Sequence, residues 1–353
     1  MHGEVEIKLI KFITLRYADP ICSIDLSDKF LLYGTMLGTA ACYLINHQKL
    51  ITLSETQEEH ISGVKIEENK DNPKDNKLYV CVGDEKVITF NATNENNNEI
   101  PKLDEKNLYQ PENEHSQKCD KCFTMLKNDY IVRTFIEFPP DTKTNYRTYD
   151  TQVSIKHIHN LDQERIEIIP MSNYCVPFDF DGKNYIFIDF IKENERQIRL
   201  YNLDSKQFQI DLLIENFKEK IGHISLLKIL KNNEIFLVRN YNICEFRNLK
   251  FEFKRILNLS CDEVLAFDVM YTDENDFESF IIVIVDLNCN VFLYNNKRKK
   301  GDFWFNMENL NIEQVIKDQR FFSMGYPYYI KISKQYLAIS SDYGCLLLQH
   351  SQI

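Results

Sequence analysis

The chain has 353 residues, 44% of them hydrophobic and 27% charged, and a formal net charge of -11. These globular proportions exclude a wholly disordered or fibrous chain, and the negative field opposes sequence-independent binding to phosphate backbones. No apolar run approaches the ~20 residues of a membrane helix; the longest, Phe280–Val285, has the length of one buried strand.

Short apolar segments separated by polar turns run through the chain, and almost nothing keeps a helical period. Glu4–Phe12 alternates, with Val5, Ile7 and Leu9 on one face and Glu6 and Lys8 on the other. Four strands then follow at Ile21–Leu26, Phe30–Thr35, Ala40–Ile45 and Leu50–Leu53, joined by turns at Ser27-Asp28, Met36–Gly38 and Asn46–Lys49. The polar stretch Asn91–Lys118 has little to bury, so it is expected to be an insertion in which Ile100, Leu103 or Tyr109 begins a fourth strand. A second turn-rich insert covers Pro139–Asp150.

The same four-strand order returns at Phe178–Phe180, Tyr185–Phe190, Ile198–Tyr201 and Phe208–Leu212, and at Ile224–Leu230, Ile235–Val238, Ile243–Phe246 and Phe251–Leu257. A further copy is Val264–Met270, Phe280–Val285, Val291–Tyr294 and Phe303–Phe305. The last copy offers only Tyr328–Ile332, Tyr336–Ser340 and Cys345–Leu348, one strand short. The third strand of each copy ends near a bulky anchor: Tyr43, Phe90, Ile158, Tyr201, Phe246, Tyr294 and Leu348. Apart from a longer step between Phe90 and Ile158, the anchors recur about every 45 residues, the length of a four-stranded repeat. An unpaired strand at each end of the chain would invite aggregation. Pairing the amino-terminal strand with the incomplete last unit removes both edges and makes seven units.

With its Gly222-His223 and Glu59-His60 at unit openings, Asp84, Asp286 and Asp342 at the second-to-third strand turns, and Tyr201-Asn202 and Tyr294-Asn295 in place of Trp-Asp, the chain resembles WD40-repeat seven-bladed β-propeller proteins. The fold expected is all-β: one propeller domain over 1–353 with a closing strand at 4–14 and blades at 20–54, 60–118, 122–170, 177–213, 222–258, 263–307 and 326–350. The polar insertion at 91–118 falls in the second blade. The resemblance implies a non-catalytic platform for protein–protein interaction.

Chemistry-bearing patterns are few. Cys119-x-x-Cys122 with His157-x-His159, or with His115, has the residue types of a zinc site. The cysteines precede the first strand of their unit and the histidines end its third, so the first grouping spans opposite ends of the sheet. Lys297-Arg298-Lys299-Lys300 is the one dense basic run and sits in a hairpin turn, where charge keeps a tip solvated. Asp179-Phe180-Asp181-Gly182 lacks the sixth-position Gly and late Glu of a calcium loop and is a strand followed by a turn, as is Gly34-x-x-x-Gly38. No nucleotide-binding, nucleophile-elbow or zinc-protease motif occurs. Hence no catalytic, cofactor-binding or metal residues are assigned, no cofactor is expected, and the chain is not expected to be an enzyme.

The ten cysteines sit largely in apolar runs, as with Cys42, Cys81, Cys244 and Cys345, and the first six residues carry two acids and no apolar leader. Both features suit a reducing, cytoplasmic location, cytoskeleton-associated structures included. The function expected is therefore a subunit of a larger cytosolic or cytoskeletal assembly, ciliary ones among them, with protein subunits as partners and no nucleic acid, membrane or small-molecule substrate. Two alternatives stay open. A phospho-motif receptor of a ubiquitin-ligase or signalling complex would need Arg133, Arg147, Arg165, Arg196, Arg199 and Arg239 to converge. A propeller enzyme would need coupled titratable groups around a central channel.

Overall fold

The structure is a computed structural model and describes residues 7–15, 19–55, 59–69, 71–72, 75–83, 86–92, 99–108, 122–127, 129–135, 151–169, 175–183, 185–192, 195–213, 224–273, 275–310, 329–341 and 344–351. Among them the regular structure is strand, apart from 3-10 turns at Met307–Asn309 and at Asp75. The strands are β1 (Ile7–Thr14), β2 (Ile21–Leu26), β3 (Phe30–Thr35), β4 (Thr39–Leu44), β5 (Lys49–Glu55), β6 (Ile61–Glu67), β7 (Lys77–Val82), β8 (Lys86–Asn91) and β9 (Lys102–Asn107). Next come β10 (Cys122–Lys127), β11 (Tyr130–Phe135), β12 (Thr151–His157), β13 (Asn160–Ile169), β14 (Cys175–Phe180), β15 (Tyr185–Lys192), β16 (Glu195–Asn202), β17 (Gln207–Leu213), β18 (Ile224–Ile229), β19 (Glu234–Arg239), β20 (Ile243–Asn248) and β21 (Phe253–Leu257). The last are β22 (Val264–Tyr271), β23 (Phe280–Asp286), β24 (Asn290–Asn295), β25 (Lys300–Asn306), β26 (Tyr329–Ile332), β27 (Tyr336–Ser340) and β28 (Gly344–His350).

Consecutive strands pair antiparallel into four-stranded sheets, as tight turns between alternating segments require. The chain divides into two compact units, the first made of Met1–Val82, Ile88–Glu105 and Leu257–Ile353, the second of Gly83–Val87 and Lys106–Ile256. The first unit carries the sheets β2-β3-β4-β5, β6-β7-β8-β9, β22-β23-β24-β25 and β1-β28-β27-β26. The second carries β10-β11-β12-β13, β14-β15-β16-β17 and β18-β19-β20-β21.

The sheet β1-β28-β27-β26 joins the two ends of the described chain. Ile7 stands opposite His350, Leu9 opposite Leu348 and Thr14 opposite Gly344. The expected alternation holds over Ile7, Lys8 and Leu9, with Ile7 and Leu9 packed against one apolar cluster and Lys8 exposed; beyond them the register shifts between Leu9 and Lys11, and Phe12 joins the cluster that Ile7 and Leu9 touch. Phe12 joins an apolar cluster with Ile281, Val283 and Leu346, and Ile13 one with Leu31, Tyr43 and Leu347. Val5 lies outside the described residues.

The anchors behave as their spacing predicts. Tyr43, Phe90, Ile158, Tyr201, Phe246, Tyr294 and Leu348 are all buried. One expectation is met and one is corrected. The fourth strand expected within Asn91–Lys118 is present: Asn91 ends β8 and Lys102–Asn107, which holds Leu103, forms β9, with most of its side chains, Leu103 included, toward water. Ile100 just before it enters the core. Phe251, by contrast, is not part of β21. Its φ of 64° closes a turn in which its amide donates to Asn248 O at 2.8 Å, and its ring lies under the Arg247 guanidinium at 4.7 Å.

Within the first unit the first strands β22, β26, β2 and β6 are neighbours in that order, and within the second so are β10, β14 and β18. Each has one edge unpaired within its own sheet. Aspartates at the fifth position of β2, β14 and β22 reach across to that edge. Ile66 N donates to Asp25 Oδ2 at 2.8 Å, Ile229 N to Asp179 Oδ2 at 2.6 Å and Ile332 N to Asp268 Oδ2 at 3.2 Å. Charge-assisted bonds of this kind satisfy backbone donors that no strand pairs with. In each case the amide belongs to an Ile preceded by Lys (Lys65, Lys228, Lys331), and the Lys331 ammonium lies 3.5 Å from Asp268 Oδ1. At the β2–β6 seam Ser23 Oγ also accepts Val64 N at 3.0 Å, and the Cys22 thiol donates to Ile61 O at 2.8 Å.

Candidate interaction surface

The turn between β3 and β4 is held from below and apolar above. Asp19, itself buried, accepts Leu37 N at 2.7 Å through Oδ1 and the Thr35 hydroxyl at 2.8 Å through Oδ2. Thr35 Oγ1 in turn accepts Thr39 N at 3.0 Å, Met36 N donates to Pro20 O at 3.0 Å, and Gly38 turns the chain with a φ of 91°. None of these bonds uses the side chains of Met36 and Leu37, which stand 50% and 60% exposed. A large apolar pair on a fixed backbone loses little conformational entropy when it is covered, which is the property of an interface anchor.

The turn between β19 and β20 has a related feature in the second unit. Asn240 and Tyr241 have φ of 51° and 67°, the left-handed pair of a hairpin turn that favours Asn-Gly. Tyr241 occupies the place where Gly is cheapest, and is 45% exposed. Sequence reasoning placed the Met36–Gly38 turn but missed that its apolar pair is displayed. The legible signal was two large hydrophobic residues between Thr35 and Gly38, where turn chemistry calls for polar ones.

The predicted turn aspartate is in place at Asp286. Buried at the end of β23, its Oδ1 accepts Asn288 N at 3.0 Å and Asn290 N at 2.9 Å, and its Oδ2 accepts Asp262 N at 3.2 Å. Asp84, Asp342 and Gly222-His223 lie outside the described residues, as do His115 and Cys119. Cys122 begins β10, while His157 ends β12 and His159 lies in the turn beyond, at the sites their spacing predicts. The two imidazoles are 4.8 Å apart between centroids. His157 Nδ1 accepts His159 N at 3.2 Å, which engages that nitrogen within the turn. Among the described residues no three His, Cys, Asp or Glu are grouped to hold an ion.

Lys297, Arg298 and Lys299 form the β24–β25 turn and Lys300 opens β25. Their charge is locally answered: Lys297 pairs with Asp276 at 3.1 Å, Lys300 with Asp302 at 2.9 Å, and Lys299 Nζ donates to Asn296 Oδ1 at 3.0 Å. Asp179-Phe180 ends β14 and Asp181-Gly182 turns it, with Asp181 Oδ1 accepting Lys183 N and Tyr185 N. Of the six arginines, Arg133 sits on β11 and Arg239 ends β19, where Arg239 and Arg247 flank the buried Glu245 at 3.4 and 2.7 Å. No helix among the described residues is long and apolar enough to cross a membrane.

No protein-family model matches this sequence, and no curated protein matches it. Solved structures do resemble it. The crystal structure of the computationally designed Ika8 protein aligns with a TM-score of 0.54 at 9% identity over 96% of this chain and 98% of its own. The Dos1 propeller aligns at 0.50 and 10% over 94% and 78%. Raptor from Chaetomium thermophilum aligns at 0.61 and 8% over 98% of this chain, which spans 29% of Raptor. The likeness is one of fold: this is an all-β propeller with four-stranded antiparallel blades.

Proposed function

We propose that the protein is a non-catalytic interaction scaffold that serves as a subunit of a larger cytosolic or cytoskeletal assembly. The observation that carries this reading is the Met36–Leu37 tip, two large hydrophobic side chains displayed on a turn whose backbone Asp19 and Thr35 fix. Propellers of this kind often bind protein partners on such turns, which rigid sheets hold in place. A net charge of -11 favours a protein partner over a nucleic acid or an anionic bilayer.

The test is native size-exclusion chromatography of extracts containing either the natural chain or the M36D/L37D variant. The natural chain is expected in a large complex at gentle salt, and the variant at the monomer's volume with an unchanged melting temperature. Elution of the natural chain as a monomer, or of the variant still in the complex, overturns the reading.

A further inference from the structure

We propose that Met36 is a peroxide-oxidisable modification site that switches the β3–β4 tip from an apolar to a polar state. The switching part rests on the docking role proposed for that tip; the modification itself does not.

Three observations converge on Met36. The first is exposure. Met36 is half exposed, whereas Met307 is 1% exposed in an apolar cluster with Val291 and Ile330, and Met125 and Met270 are partly covered. The second is backbone independence. Every hydrogen bond that shapes the turn runs through Asp19, Thr35, Pro20 or main chain, so a changed Met36 side chain leaves the loop and the sheet standing. The third is that the described thiols of the surrounding sheets compete poorly for peroxide. Peroxide prefers thiolates. Burial pushes the Cys22, Cys81 and Cys345 thiols up to about 12 and raises Cys42 as well, which keeps all four protonated, and Cys42, Cys81 and Cys345 are fully covered while Cys22 is half-buried. A thioether does not ionise, so what distinguishes one methionine from another toward peroxide is access to the sulfur.

The step balances with hydrogen peroxide as oxidant. The Met36 Sδ lone pair attacks one peroxide oxygen and the O–O bond breaks. The sulfur is oxidised by two electrons to the sulfoxide, and the proton of the transferred oxygen passes to the other, which leaves as water. The product replaces an apolar sulfur by a strong hydrogen-bond acceptor at the apex of the tip, where an apolar partner pocket would have to bury it unpaired.

The experiment treats the full chain with dilute hydrogen peroxide, follows each methionine by peptide mass spectrometry, and repeats the native chromatography. Met36 sulfoxide is expected to form at least about tenfold faster than Met307 sulfoxide, with no change in melting temperature. M36L should keep its complex after peroxide, and M36Q should elute like oxidised natural chain. Comparable rates at Met36 and Met307, or prior oxidation of Cys22, Cys81 or Cys345, overturns the site. Rapid Met36 oxidation with the complex intact overturns the switch alone, provided M36D/L37D dissociates. If M36D/L37D stays bound, the docking role fails while fast oxidation still upholds the site.

Discussion

The Asp25 carboxylate, on the first strand of one sheet, accepts the backbone amide of Ile66 on the first strand of the next at 2.8 Å. This bond stands in for a missing strand. It ties adjacent sheets together through a donor that would otherwise be an orphan, and Asp179 and Asp268 repeat it. Each of these aspartates holds one seam amide, and Asp268 also meets the Lys331 ammonium at 3.5 Å. D25A, D179A and D268A are each expected to lower unfolding free energy by about 1.5–3 kcal/mol, the scale of a hydrogen bond to a charged group. D25N, which keeps a neutral acceptor, should cost about half as much. Urea titration checks the series, and a D25A loss below about 0.5 kcal/mol would contradict the clamp.

Gly34 is needed where β3 meets Ile61. A Cβ at position 34 would lie 2.2 Å from Ile61 Cγ2 and 2.5 Å from Ile61 Cβ, and Ile61 is fully buried. Neither atom can swing away as a flexible tip would. G34A should therefore destabilise by about 1–3 kcal/mol or more, and I61V should recover none of it, since Val keeps the Cβ and both γ carbons that the new methyl meets. Thermal unfolding of the single and double variants decides the matter.

Glu234 makes stability depend on pH. Burial pushes its carboxyl up, but hydrogen bonds from Arg255 and Lys254 and the Arg255 charge outweigh this and hold it at about 2. Arg255 Nη2 and Lys254 Nζ lie 3.0 and 2.8 Å from its oxygens. A folded value below the ordinary 4.5 means the contribution is complete above that pH and fades as pH falls toward 2. Denaturant unfolding between pH 6 and 3 should show the natural chain losing on the order of 1–3 kcal/mol more than E234Q. Parallel curves for the two proteins would contradict the assignment.

Removing β1 should expose the whole edge of β28 that Ile7–Thr14 now covers. A chain lacking residues through Thr14 is expected to self-associate in a concentration-dependent way, since an apolar edge of Cys345, Leu346, Leu347 and Leu348 is a template for strand addition. Light scattering across a dilution series measures this. A monodisperse truncated monomer would show that β1 is dispensable for sealing the sheet.

Much of the architecture was legible in the amino-acid order. Alternation and turn residues are local properties, so the strands, the buried anchors from Tyr43 to Leu348, the Asp286 turn and the pairing of the amino-terminal segment with Cys345–Leu348 could be read before any coordinates. Other features depended on which strand comes to lie beside which. Asp25, Asp179 and Asp268 look like solvent-facing positions in their own strands; their amide partners are 41, 50 and 64 residues away, and no period of two reports them. The register shift beyond Leu9 and the left-handed Tyr241 likewise satisfy neighbours rather than local preference. The exposure of Met36 and Leu37 belongs to the same class: a hydrophobic pair declares its burial or display only after the sheets around it have packed.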